Sequence, residues 1–166
     1  MVTKKYEEYI RESTDNDELF LDACNSGYLK RARELLAGGA SVKARDFQSS
    51  TPLILASYSG HLDIVKLLVD NDADINAEDM FGSTSLELAS DKGHLEICEI
   101  LINNGADVNS NNNNGCTPLF WAGYYGHTDV VKLLLEYGAD ITIRTIGDSN
   151  CLKTTRKYGK KNTYKN

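Results

Sequence analysis

The sequence predicts an all-α solenoid of stacked helix-turn-helix units, and two observations carry that prediction. A Gly-His step recurs every 33 residues without an insertion, at Gly60-His61, Gly93-His94 and Gly126-His127. Threonine, alanine and leucine positions on both sides of this step keep the same period. A fixed period of this length indicates repeats that bury their apolar faces only against their neighbours.

Residues 46–78 form one period and show why each element should form. Thr51 followed by Pro52 predicts a helix start, because the hydroxyl can accept a free backbone N–H and proline suits the first helical position. Gly60 predicts the end of this helix, since glycine adopts the left-handed conformation without strain. A second helix with an apolar stripe should follow and stop at Asp72, where the other repeats have glycine and where aspartate is tolerated. An extended finger then leads to the next repeat.

Helix, tight turn, helix and finger in this order resemble the ankyrin repeat. The resemblance is carried by Thr51-Pro52-Leu53, Leu55-Ala56, Gly60-His61, Val65-Lys66-Leu67-Leu68 and Ala73-Asp74-Ile75-Asn76-Ala77, much of which recurs in the next two periods. It implies an ankyrin-repeat solenoid with β-hairpin-like fingers. The family motif has a histidine where this chain has Ile54, Glu87 and Phe120.

The resemblance covers residues 18–159 and divides the chain into three parts. The first is an N-terminal extension, for which a short helix is one hypothesis, and the last is a basic tail. The end units depart from the pattern, as units that meet water on one side should. The expected boundaries are 1–17 for the extension, 18–45, 46–78, 79–111 and 112–144 for the repeats, 145–159 for a truncated cap and 160–166 for the tail.

Charge is distributed unevenly along the chain. The net charge is −6, but residues 144–166 alone carry +6, which leaves −12 for the remainder. A solvated terminus is one interpretation of this basic C-terminal segment, and a nuclear-targeting or anion-binding patch is another. Nucleic-acid binding would depend on the tail, because the acidic remainder repels phosphates.

The four cysteines and the hydropathy favour an intracellular protein, cytoplasmic or nuclear. The cysteines contain no C-x-x-C pair, so neither a zinc site nor a disulfide framework is expected. Cys24 and Cys98 occupy core positions of the repeat, whereas Cys116 and Cys151 fall nearer repeat surfaces. The chain start lacks the apolar segment of a secretory signal. No stretch is long and apolar enough for membrane insertion.

No residue pattern points to catalysis, a cofactor, a metal or a small-molecule substrate. His61, His94 and His127 lie in different repeats, and packed helices are roughly 8–10 Å apart, too far for shared zinc coordination. In the family that the chain resembles, this histidine bonds locally to the backbone. No nucleophile motif or phosphate loop is present. We therefore expect a chain that is not an enzyme.

The resemblance implies that a partner meets the finger tips and the ends of the first helices, which line the concave face. Aromatic and methionine side chains among these positions would supply contact area of the kind found in binding hot spots. The alternative is that some of them pack inside the fingers or under a neighbouring helix. The implied partner-binding residues are Phe47, Gln48, Tyr58, Met80, Phe81, Asp91, Lys92, Asn113, Asn114, Tyr124, Tyr125, Lys157 and Tyr158.

The sequence leaves the roles of three further residues open. Trp121 stands where other repeats have Leu55 and Leu88, so it is either a core residue or an interface residue. Asn76 and Asn109 match the finger asparagine that resembles an asparaginyl hydroxylase substrate site in animal members of the family, although a turn role also fits that position.

The sequence thus predicts a monomeric, non-catalytic module that binds another protein as an adaptor, scaffold or stoichiometric inhibitor. An assembly chaperone or a host-directed effector of the same fold is an alternative. A binder of nucleic acid or another anion through the basic tail is an alternative from a different class.

Overall fold

The computed structural model describes residues 15–142, which form eight α-helices in four helical pairs. The predicted cap at 145–159, the tail at 160–166 and the first 14 residues lie outside this range. The boundary predicted at residue 18 falls within the first helix. The helices are α1 (residues 15–26), α2 (Leu29–Ala37), α3 (Pro52–Ser59), α4 (Leu62–Val69), α5 (Ser85–Lys92), α6 (Leu95–Asn103), α7 (Pro118–Tyr125) and α8 (Thr128–Glu136).

Three of the first helices begin with the predicted threonine cap. The Thr51 hydroxyl oxygen accepts the backbone N–H of Ile54 at 3.3 Å. Thr84 and Thr117 make the equivalent bond at the starts of α5 and α7. Each bond satisfies a backbone donor that the helix itself leaves free, which typically stabilises the fold by about 1 kcal/mol.

The ends of the helices also follow the prediction. Gly60 ends α3 in the left-handed conformation with φ 79°, and Gly93 and Gly126 end α5 and α7 in the same way. After the second helices, Asp72 takes φ 58° where the neighbouring repeats use glycine. Aspartate is one of the few side chains that tolerate this conformation, which explains why the register continues through it.

The helices stack in two layers around one continuous core. The first helices α3, α5 and α7 pack against one another, and the second helices α2, α4, α6 and α8 form the other layer. Leu68, Leu101 and Leu134, one per repeat, are fully buried between the layers. Each helix also packs against its partner within the same repeat. Because contacts between repeats are limited to adjacent ones, every repeat depends on its neighbours for burial.

The fingers are tight hairpin-like loops, as the resemblance implied. In the second fingertip (residues 79–83), the Asp79 N–H donates to the Ser83 carbonyl at 3.1 Å, and Glu78 and Thr84 form an antiparallel bridge. The first fingertip (residues 46–50) and the third (residues 112–116) close with the same backbone bond.

The repeated histidines tie each repeat to the one before it. The His61 ring nitrogen Nε2, taken as protonated, donates to the Asn25 carbonyl at 3.0 Å. His94 and His127 reach the carbonyls of Tyr58 and Asp91 in the same way. The resemblance implied a local bond for this histidine, but the observed bond spans 36 residues. It connects the turn of one repeat to the end of the preceding first helix.

Three of the cysteines are buried free thiols. Cys24 and Cys98 are fully buried, as expected, and burial raises the pKa of Cys24 to about 12 and that of Cys98 to about 11. The expectation that Cys116 lies near the surface is wrong, because only 7% of this residue is exposed. Its position closes the third fingertip and packs it against Phe120.

Glycine before the histidine is needed for two reasons, its left-handed backbone and its close contact with the histidine ring of the next repeat. The free energy of unfolding of two variants separates the two costs. We expect Gly126→Ala to lower the free energy of unfolding by about 1–2 kcal/mol, the cost of a left-handed alanine. Gly60→Ala should cost more, because its Cβ would lie 2.6 Å from the His94 ring. At Gly126 no described atom lies within 4 Å of the added Cβ.

Urea-induced unfolding of the two variants and the wild type measures this difference. Equal losses for Gly60→Ala and Gly126→Ala would contradict the close packing of the His94 ring on Gly60.

Candidate functional site

The three fingertips share one side-chain-stabilised turn. Asp79 Oδ1 accepts the backbone N–H groups of Phe81 and Ser83 at 2.8 and 2.9 Å. Asp46 makes the same pair of bonds in the first fingertip, and Asn112 makes them in the third. Local bonds of this type fix a turn without help from the core, so the tip conformation is set before any partner arrives.

Backbone hydrogen bonds also join each fingertip to the next. The Met80 N–H donates to the Gln48 carbonyl at 2.9 Å, and the Asn113 N–H donates to the Phe81 carbonyl at 2.9 Å. The Asn113 side-chain amide donates to the Met80 carbonyl at 3.3 Å. Four of the predicted partner-binding residues thus form one connected edge.

Large apolar side chains project from this edge. Phe47 is 91% exposed, and Met80 and Phe81 are each more than half exposed. Gln48, Asn113 and Asn114 are exposed between them. The alternative that the aromatic residues pack inside the fingers therefore does not hold for Phe47 or Phe81.

A second group of predicted residues meets at the ends of α3 and α5. The Lys92 ammonium lies 4.6 Å from the centroid of the Tyr58 ring and 2.9 Å from an Asp91 carboxylate oxygen. The hydrogen bond that Lys92 donates to Asp91 is the main cause that raises the pKa of Lys92. Tyr58 is exposed, so the ring and the ammonium present one mixed surface.

The predicted pair at the end of α7 divides between surface and interior. Tyr125 is 54% exposed. Tyr124 is partly buried, and its ring stacks on Phe120 with centroids 5.9 Å apart and an interplanar angle of 26°. Tyr125 is thus the surface residue of the pair, while Tyr124 supports the cluster beneath it.

Leu55, Leu88 and Trp121 share one position of the repeat, and none of the three is fully buried. Leu55 lines an open cavity of about 530 Å³ between the first fingertip, α1 and α3, together with Phe47 and the carboxylates of Glu18 and Asp22. Leu55 therefore faces this cavity, which the sequence did not predict. Trp121 is both a packing residue and a partly exposed one.

Glu87 is the most unusual side chain beneath this face. It is 1% exposed, on α5, at the position where the family motif has histidine. Its Oε1 accepts the Trp121 indole N–H at 2.9 Å, the Asn112 amide and the Ser83 hydroxyl. Its other oxygen, Oε2, is buried and has no hydrogen-bond partner within residues 15–142.

Three side chains that differ from the equivalent residues of the preceding repeat are in contact around Glu87. Glu87, Asn112 and Trp121 replace Ile54, Asp79 and Leu88 of the preceding repeat, and the structure brings all three into contact. An aspartate at position 112 would place a second carboxylate beside Glu87, whereas asparagine keeps the turn bonds and adds a donor. The coincidence of these departures is the sequence signal that could have identified the junction.

The Glu87 carboxyl changes its protonation state near neutral pH. Burial raises its pKa from 4.5 to about 7, which outweighs the lowering by the bonds from Trp121, Asn112 and Ser83. The negative charge of Asp79 adds to the rise. A buried carboxylate is costly because few groups replace its hydration.

Asn76 and Asn109 both bridge adjacent repeats. The Asn76 amide donates to the Gly105 carbonyl at 2.9 Å, and its Oδ1 accepts the Asp107 N–H at 2.9 Å. Asn109 makes the equivalent pair of bonds one repeat later. The geometry supports the turn role, and hydroxylation of either residue stays a prediction.

Lys157 and Tyr158 lie outside the described residues. Within residues 15–142, no cluster of three or more His, Cys, Asp or Glu side chains has the arrangement of a metal site. The helices of this range are all too short, or too polar, to cross a membrane.

Comparison with known proteins agrees with this architecture. A family model described as ankyrin repeats (3 copies) matches residues 6–79 and 78–145. A search of curated proteins found no match. Repeats of this family are generally protein–protein interaction modules.

Glu87 should make the stability of the fold depend on pH. Its pKa is raised in the folded state, so the folded chain binds more protons than the unfolded chain between pH 4.5 and about 7. Stability from this group is therefore largest below pH 4.5 and is lost as pH rises through 7. The raised pKa corresponds to a loss on the order of 3 kcal/mol.

The variant Glu87→Gln isolates this effect, because glutamine keeps an acceptor for Trp121 but does not ionise. We expect it to gain on the order of 2–3 kcal/mol relative to wild type between pH 5 and pH 8, measured by urea unfolding at each pH. Glu96→Gln removes an exposed carboxyl of α6 and is the matched control. A difference between wild type and Glu87→Gln that does not change with pH would show that Glu87 is ionised throughout.

Proposed function

Because the chain belongs to the ankyrin-repeat family, we propose that it is a non-catalytic module that binds a partner protein through its concave face. We define this face as the three fingertips, residues 46–50, 79–83 and 112–116, with the ends of α3, α5 and α7. An adaptor, a scaffold or a stoichiometric inhibitor acts in this way. An assembly chaperone or a host-directed effector would use the same face.

The observation that carries the proposal is the row of exposed apolar side chains on a connected backbone. Phe47, Met80 and Phe81 project from fingertips that are bonded to one another. Tyr58 and Tyr125 continue the row on the helix ends. Exposed groups of this kind mark interaction sites, and aromatic residues dominate binding hot spots.

The rigidity of the face supports the same conclusion. Each fingertip is held by side-chain bonds within its own turn and by a backbone bond to its neighbour. A surface that is already ordered loses little conformational entropy when a partner binds. The exposed rings therefore contribute their contact area without a large ordering cost.

Charge indicates the kind of partner. Residues 15–142 contain 20 acidic and 8 basic side chains, a net charge of −12 with neutral histidines. Glu18 and Asp22 lie beside Phe47 and Leu55 in the cavity at the N-terminal end of the face. A partner segment that combines apolar with lysine or arginine side chains would complement this surface, since opposite charge accelerates encounter and improves specificity.

The carboxylates of the repeats mostly have structural roles. Asp74, Asp107 and Asp140 each accept a backbone N–H two residues further on, in the same turn of successive repeats. Their repetition reflects a requirement of every repeat, which favours binding over chemistry as the function. Anion binding by the basic tail depends on residues outside the described range.

We expect the triple variant Phe47→Ala, Phe81→Ala and Tyr125→Ala to lose at least tenfold in partner affinity, because truncating a single hot-spot residue typically costs about 2 kcal/mol or more. Its free energy of unfolding should change little, since all three side chains are exposed. Affinity capture from lysate of cells that express the protein identifies the partner, and titration measures its affinity.

The matched control removes exposed apolar side chains from the opposite layer, with Tyr28→Ala before α2 and Leu135→Ala on α8. Capture that is equally strong in the triple variant and the control would place the site away from the concave face. Affinity for a basic partner segment should also fall as NaCl is raised.

A further inference from the structure

Glu87 connects two parts of the concave face that lie in different repeats. It stands on α5 in the third repeat, whereas Asn112 and Trp121 both belong to the fourth. The bonds to these two residues span 25 and 34 positions. One buried carboxyl thus holds the third fingertip and the middle of α7 against the preceding helix.

The Trp121 indole connects the Glu87 carboxyl to an exposed aromatic ring. Trp121 stacks on Tyr125 with ring centroids 6.1 Å apart and an interplanar angle of 15°. Tyr125 is more than half exposed and lies 6.2 Å from the His127 ring. A displacement of the indole therefore changes the support of an exposed aromatic ring in the binding row.

The Asn112 side chain connects the Glu87 carboxyl to the third fingertip. Its Oδ1 accepts the backbone N–H groups of Asn114 and Cys116 at 2.9 and 3.1 Å, while its amide nitrogen donates to Glu87. The same side chain thus shapes the tip and anchors it. Asn113 and Asn114 are exposed on that tip.

We propose that Glu87 is a positioning residue of the concave face, and that the ionisation of its carboxyl sets the placement of the Trp121–Tyr125 stack and of the third fingertip. The assignment of a partner to this face rests on the proposed function, but the positioning is a property of the free protein.

The chemistry of the carboxyl explains why ionisation matters. An ionised oxygen accepts hydrogen bonds that are shorter and roughly twice as strong as those to a neutral acid. Ser83, Asn112 and Trp121 all donate to Oε1, so all three bonds tighten on ionisation. The neutral acid instead carries a hydroxyl, for which the structure supplies no acceptor at Oε2 among residues 15–142.

Within residues 15–142, the charged group that acts on Glu87 is Asp79 of the second fingertip, whose negative charge opposes ionisation. α7 contributes the Trp121 indole and the third fingertip contributes the neutral Asn112, and both donate to the carboxyl. α3 packs against α5 and carries Tyr58 at its end, under the Lys92 ammonium, and Lys92 is itself bonded to Asp91.

The chain has one tryptophan, so the indole provides a specific probe. The indole ¹H–¹⁵N resonance of the full-length protein should move in one step as pH is raised from 5 to 8.5, with a midpoint near 7. Glu87→Gln should abolish this step. A step that persists in Glu87→Gln would belong to another group and would overturn the proposal, as would a resonance that does not move in the wild type.

Asn112→Asp provides a second variant that does not remove the carboxyl. It restores the residue that the other two fingertips carry and places a like charge beside Glu87. We expect the midpoint of the indole step to rise by at least one pH unit. An unchanged midpoint in this variant, with its fold confirmed by circular dichroism, would overturn the proposal even if Glu87→Gln does not fold.

Binding data separate this inference from the proposed function. For a captured partner, the ratio of affinities at pH 6 and pH 8 should differ from one in the wild type and approach one in Glu87→Gln. An indole step without any effect of the Phe47, Phe81 and Tyr125 substitutions on capture would contradict the proposed function alone. Capture that depends on those residues, with no indole step, would contradict the positioning role alone.

Discussion

The contact on which the whole stack depends is the one between a histidine ring and the preceding repeat. His61, His94 and His127 each donate to a carbonyl in the last turn of the previous first helix. All three rings also lie over the glycines that follow those helices, Gly27, Gly60 and Gly93. A helix of eight or nine residues is marginal alone, so its stability comes from such contacts with its neighbours. The asparagine bridges at Asn76 and Asn109 provide a second connection at the opposite end of the repeat.

Features that every repeat needs were predictable from the sequence. The threonine caps, the glycine ends and the left-handed Asp72 follow from local rules that hold wherever the period places those residues. The fingers and their place beside the first helices followed from the family resemblance. The exposed Phe47 and Phe81 are where that resemblance put them.

Features that depend on a particular pair of repeats were not predictable from the register. Cys116 is buried because it closes the third fingertip against Phe120, and Trp121 is only partly buried in the same cluster. The bond from Trp121 to Glu87 joins residues in two repeats whose side chains are unique to each. A period predicts which positions face each other, but it does not predict what two non-repeating side chains do when they meet. The binding face itself combines both kinds of feature, a repeated backbone and side chains that differ at every tip.

The junction at Glu87 also bears on how the stack comes apart. A linear array is described by the stability of each repeat and the strength of each interface, and cooperative unfolding requires every interface to be strong. Here one interface, between residues 79–111 and 112–144, contains a carboxyl whose protonation changes near neutral pH, whereas the preceding repeat has the apolar, buried Ile54 at the same position. Within residues 15–142, this interface therefore differs from its neighbours in containing a buried carboxyl. Because burial opposes ionisation more strongly than the donors to Oε1 favour it, we expect the interface to weaken as pH rises. The helices α7 and α8 would then separate from the preceding helices more readily, and their amide protons would exchange with solvent through a local opening.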